Sequence, residues 1–113
     1  MNILVTNNPL CKGRLGNLYD VRFSEVSALE ILKCARGFVH LGHSLITHPT
    51  AGGLPPGHSP YKSIVITAEA TTPNLAFINA IEHTIAQYEK STRPEPKEHL
   101  EDFAALDFAL VCK

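Results

Sequence analysis

Residues 44–67 read SLITHPTAGGLPPGHSPYKSIVIT: two apolar runs enclosing a long polar interval. Ile64, Val65 and Ile66 form a β-branched run within Ser63–Thr67, which suits a strand covered on both faces. Ser44–Thr47, with Leu45 and Ile46 at its centre, reads as a second strand. Between them Gly52, Gly53 and Gly57 alternate with Pro49, Pro55, Pro56 and Pro60. Neither helix nor strand tolerates that density of turn residues, so the interval from His48 to Ser63 is a loop. Long loops are uncommon in small domains, and ordered ones are often functional.

Moving upstream, SALEILKCARGFVHLG (residues 27–42) has the marks of an amphipathic helix. Ser27 and Glu30 have capping-box spacing, Leu29, Leu32 and Val39 share one side, and Ile31, Ala35 and Phe38 widen the apolar face. Glu30 and Lys33 are placed for an exposed ion pair, and Gly42 is suited to a left-handed stop. Before this helix, Tyr19–Phe23 alternates apolar and charged residues, the period of a half-exposed strand near a sheet edge. Ile3–Val5 is a short buried strand, and the polar segment from Thr6 to Asn17 follows it as a connector. Downstream, Thr72 and Pro73 are expected to open a second helix lined by Phe77, Ile78, Ile81, Ile85 and Tyr88. Ser91–Lys97 is a connector, His99–Ala105 a helical turn, and Leu106–Val111 a final strand. The expected order is β-β-α-β-β-α-β: one α/β domain over residues 1–113, with a layered sheet of about five strands and two main helices.

Composition narrows the function. With 113 residues and 44% apolar content, the chain has enough material for one core. Ten basic and eleven acidic residues give a net charge of -1, which argues against nucleic-acid binding. No apolar run reaches membrane-spanning length, and MNILVTNNPL lacks the basic start of a signal peptide. Cys11, Cys34 and Cys112 lack CxxC spacing and read as reduced thiols of a cytoplasmic protein. Cys34 and Cys112 are expected to pack in apolar surroundings, and Cys11 to be exposed.

The polar groups gather at strand ends. His48 follows one expected strand and Asn7 and Asn8 follow another, and ligands of α/β sheets bind beyond such ends. Were those two strands parallel neighbours, Asn7, His48 and the loop would meet on one rim. Lys62, with the Ser59 and Ser63 hydroxyls and glycine-freed N–H groups, has the chemistry to hold a phosphate or carboxylate. GGLPPG is not a P-loop, since no Gly-Lys-Ser/Thr and no helix follow it. The plainer alternative is a structured surface loop. His40, His43, His48 and His58 have no zinc-motif spacing, so no metal is expected, and no cofactor motif is present. Ser59 or Ser63 with His48 and Asp20 would make a triad on paper, without the G-x-S-x-G elbow that would support it. Tyr61 followed by Lys62 has the makings of a general acid with a charged neighbour; the plainer assignment is an aromatic entering the core and a lysine left in water. Glu82 and His83 read as a solvated face, and Glu95, Glu98, Glu101 and Asp102 as acidic surface.

The segments TNNP (6–9), GHSLITHPTAG (42–52), SPYKSIVI (59–66) and DFALV (107–111) resemble the GrdX-like family. The likeness extends through the helix EILKCARGFVHLGH and the segment ending QYEK. These are small proteins encoded beside components of glycine, sarcosine and betaine reductases in amino-acid-fermenting anaerobes. The resemblance implies a cytoplasmic accessory protein of a system that handles acetyl phosphate and selenoprotein components, and it supplies no reaction. The family's motif positions fall on Asn7, His48, Pro49, Ser59, Pro60, Tyr61 and Lys62. The expected ligand-binding residues are Asn7, His48, Ser59, Tyr61 and Lys62, in a non-catalytic module for a small anion or a reductase component. The alternative is a small hydrolase or acyl/phosphoryl transferase, with His48 as general base and Lys62 stabilising a developing anion. A third reading is assembly, in which exposed apolar surface joins a homo-oligomer or a reductase component.

Overall fold

A computed structural model describes residues 1–49, 58–91 and 96–111. Seven elements follow one another: β1 (Ile3–Thr6), α1 (Pro9–Arg14), β2 (Asp20–Phe23), α2 (Ala28–Leu41), β3 (Ser63–Ile66), α3 (Leu75–Lys90) and α4 (Leu100–Val111). The three strands form one sheet in the order β2-β1-β3. β1 runs parallel to β2, with Leu4 opposite Val21, and antiparallel to β3, with Leu4 opposite Val65.

Strand alternation splits the core in two. Ile3, Val5, Ile64 and Ile66 point to one face and pack against Ile31, Leu32, Ala35 and Val39 of α2 and Ile81 and Ile85 of α3. Leu4 and Val65 point to the other face and meet Cys11 and Leu15 beside Val111 and Phe108 of α4. Each valine, leucine or isoleucine side chain fully buried in this way contributes about 1.5–3 kcal/mol. β1 and β3 are buried at every position because helices cover both faces. β2 alternates exposed and half-buried residues and lies at the sheet edge, as its sequence period requires.

α2 is built as its sequence dictates. The Ser27 hydroxyl accepts from the Glu30 N–H at 3.2 Å, and Gly42 ends the helix at φ +110°. Lys33 and Glu30 stand 4.0 Å apart.

Four expectations change. Leu106–Val111 is not a strand: Ala104, Asp107, Phe108 and Val111 recur at helical spacing and face inward from α4. The charge of Asp107 within that stripe disguises its period. Ser44–Thr47 forms no strand. It runs beside β3 with one bridge, Leu45 to Ile66; the Ile46 and Thr47 N–H groups both turn to the Val65 carbonyl, at 2.8 and 3.3 Å, and Ile46 remains exposed. The five expected strands are therefore three. The connector after β1 contains α1, with the Asn8 side chain accepting from the Leu10 N–H and Pro9 in the first turn. Finally, α3 starts at Leu75 under Asn74, whose side chain accepts from Ala76 and Phe77, and not under Thr72. Among the described residues no helix is long and apolar enough to cross a membrane.

Candidate functional site

The end of β1 and the start of β3 are antiparallel partners, which sets Thr6 opposite Ser63. Their hydroxyls are 2.7 Å apart in the interior. Asp107 arrives from α4 and closes the group. Its Oδ2 accepts from the Ser63 hydroxyl at 2.6 Å and from Asn8 Nδ2 at 2.9 Å. Ser63 has one hydroxyl proton and gives it to Asp107, so Thr6 must donate to Ser63. Thr6 in turn accepts from the Asn8 N–H at 3.0 Å. The donors thus run in one direction, from Asn8 through Thr6 and Ser63 to a single carboxylate. Cys11 Sγ lies 3.7 Å from Ser63 Oγ. Asn8 Nδ2 also donates to the Ala104 carbonyl at 2.8 Å, so one side chain binds α1 to α4.

Asn7 serves the loop. Its Nδ2 donates to the Val26 and Pro60 carbonyls at 2.8 and 2.9 Å, and its Oδ1 accepts from the Lys62 N–H at 2.8 Å. These bonds tie the chain before α2 and the chain before β3 to the end of β1. Ser59 accepts from the Tyr61 N–H at 3.2 Å, which folds Ser59–Tyr61 into a tight local turn.

Lys62 is only 8% exposed, contrary to the expectation that it stays in water. Burial pushes its pKa down, and the negative charge of Asp107 partly opposes that. Asp107 is equally buried, and burial drives its carboxyl above the ordinary range against the Ser63 and Asn8 hydrogen bonds and the Lys62 charge. Tyr88 of α3 is raised as well, by burial first and then by Asp107. Among the described residues Lys62 Nζ has no acidic oxygen within 4 Å.

His48 has a different setting. It is exposed, and it lines a cleft of about 380 Å³ with Leu45, Ile46 and Thr47 on one side and Ala76, Phe77 and Ala80 of α3 on the other. Of the five expected binding residues, Asn7 and Lys62 are joined directly. Ser59 and Tyr61 lie in the turn beside them, and His48 belongs to the α3 cleft. Because Ser44–Thr47 is not a strand, the parallel pairing that would have aligned His48 with Asn7 does not form. Gly52, Gly53 and Gly57 lie outside the described residues, as does Cys112.

Cys11 is fully buried and Cys34 exposed, the reverse of what was expected for each. α1 turns Cys11 inward, and Cys34 falls between the stripes of α2. Glu82 is exposed but not idle, since Arg36 and His40 of α2 approach it at 3.5 Å. Among the described residues no three His, Cys, Asp or Glu side chains gather as a metal would require. Sequence reasoning placed Asn8 at the strand end without giving it a role, and it assigned none to Thr6 or Asp107. Asp107 had left a signal as the one charge in an apolar terminal run.

A family model described as GrdX-like protein matches residues 3–113. No curated protein and no solved structure matches the chain.

Proposed function

The chain belongs to the GrdX-like family, and on that footing we propose that it is a non-catalytic accessory protein of a glycine, sarcosine or betaine reductase system, binding a small anion at Lys62. One observation carries the reading: an ammonium group withdrawn from water at the strand ends without a contacting carboxylate among the described residues. Leaving a charge in such a place is costly, and an anion of suitable size repays that cost by direct contact. The Asn7 clip fixes the backbone from which the Lys62 side chain starts, which lowers the ordering cost of binding. Thr6, Asn8 and Cys11 are sealed from solvent and offer no nucleophile to a substrate, which favours binding over catalysis.

NMR titration of the full chain with phosphate, acetyl phosphate and glycine tests this. Saturable shifts are expected at Lys62, Asn7 and Ser59 with one of these, and their absence with all three would end the anion reading. Lys62→Met should abolish the shifts while making the unliganded protein more stable, by about 0.5–2 kcal/mol. The sign follows from linkage. A depressed lysine pKa contributes stability above the ordinary value of 10.5, and that stability is lost as pH falls through the folded value. At neutral pH the charged form therefore opposes folding. Binding that survives Lys62→Met would place the anion elsewhere.

A further inference from the structure

We propose that two copies of this chain join edge to edge along β2, antiparallel, about a two-fold axis through Val21. β2 is the outer strand of the sheet, and its inner side is spent on β1. The Asp20 N–H donates to the Asn2 carbonyl at 2.9 Å and the Ser24 N–H to the Thr6 carbonyl at 3.1 Å. Even-numbered residues therefore face β1. The N–H and C=O groups of Val21 and Phe23 point to the outer side, where no described strand pairs with them.

Side chains identify the occupant. The run Tyr19-Asp20-Val21-Arg22-Phe23 has mirrored chemistry: aromatic, acid, aliphatic, base, aromatic. Set against itself in antiparallel order about Val21, it places Tyr19 opposite Phe23, Asp20 opposite Arg22 and Val21 opposite Val21. Val21 would exchange two backbone bonds with its symmetry mate. Each Phe23 N–H would reach a Tyr19 carbonyl, while the Tyr19 N–H stays with Leu15 at 3.0 Å. The Asp20–Arg22 pairs would then occupy the non-hydrogen-bonded sites, where opposing side chains come closest. Both side chains are about half exposed, and they already contact each other at 2.8 Å within one strand. Across the axis the two pairs would close a ring of four alternating charges. Protected edges carry charges that repel a second strand, whereas two signs in this order attract an inverted copy. Leu18, a large exposed apolar side chain at the head of β2, would be covered against the far end of the partner strand. The result is a single six-stranded sheet across two chains.

Sedimentation equilibrium of the full chain over a wide concentration range tests the pairing. A reversible dimer is expected. Asp20→Arg should weaken it about tenfold by setting like charges opposite each other, and adding Arg22→Asp should restore it to within about threefold. Val21→Pro removes the two central donors without touching the bonds to β1, so it should yield a folded monomer, verified by circular dichroism. Should that variant fail to fold, the charge exchange decides alone. A monomer throughout the range would overturn the proposal and leave the edge to some other extended segment. A dimer indifferent to Asp20→Arg would overturn it equally.

Discussion

Gly42→Ala should cost about 3–5 kcal/mol and lower the unfolding midpoint by roughly 10–20 °C. Two independent penalties combine. Gly42 has φ +110°, a conformation that costs a residue with a side chain about 1–3 kcal/mol. A Cβ built there would also stand 1.9 Å from the Thr71 carbonyl oxygen and 2.8 Å from its carbon. Both are backbone atoms, so relief requires moving the chain that leads into α3. That movement breaks the bond from the Thr71 N–H to the Gly42 carbonyl at 3.0 Å. Gly42→Asn separates the two causes, because asparagine tolerates left-handed backbone better than alanine yet carries the same Cβ. If contact dominates, Asn will be as damaging as Ala in thermal and urea unfolding. A loss below about 1 kcal/mol for both variants would refute the argument. The α3 cleft holding His48 should also lose its shape, since Ala76, Phe77 and Ala80 follow directly from that junction.

Asp107→Ala should cost about 2–4 kcal/mol, from donors left unpaired in the interior. The Ser63 hydroxyl and one Asn8 amide proton lose their acceptor together. Amide exchange should accelerate in α4 before it does in α2 or α3, because the carboxylate is the polar tie between α4 and the sheet. Asp107→Asn keeps one acceptor oxygen and should cost less. Its comparison with the parent across pH has a fixed sign. The Asp107 pKa is raised, mainly by burial, so its contribution to stability is fully present below the ordinary value of 3.8. It is lost as pH climbs through the raised folded value. The parent's advantage over Asp107→Asn should therefore be largest in acid and shrink as pH rises. An advantage that grew with pH would mean that the hydrogen bonds and Lys62 outweigh burial.

Where one short segment contained its own signals, sequence reasoning was sufficient. Ser27, Glu30 and Gly42 bounded α2, and the alternation of Asp20 and Arg22 with Val21 and Phe23 marked β2 as an edge. Failure came where a signal had two meanings. Asn8-Pro9 and Thr72-Pro73 are both polar-proline steps, but only the first starts a helix directly, because Asn74 lies closer to the apolar stripe of α3. Leu45 and Ile46 are as apolar as many strand centres, yet the N–H groups of Ile46 and Thr47 share one carbonyl, that of Val65, and the ladder stops at the Leu45–Ile66 bridge. At the candidate site, Lys62 and Asn7 were visible as polar residues at strand ends. Their arrangement was not, because it depends on Asp107, which pairs with Ser63 across 44 positions and with Asn8 across 99. Local spacing carries no information about such partners.

The Asn8 amide that reaches α4 also imposes an order of events during synthesis. Until residues 104 and 107 have left the ribosome, Asn8 at the start of α1 and Ser63 at the start of β3 lack the acceptors that satisfy them. The early half can collapse around Leu4 and Cys11, but its polar end stays open to water. Closing a contact across 99 positions is slow, because the loop entropy is spent before any bond repays it. Nascent chains should therefore remain protease-sensitive until α4 emerges, because α4 is the helix that commits β1.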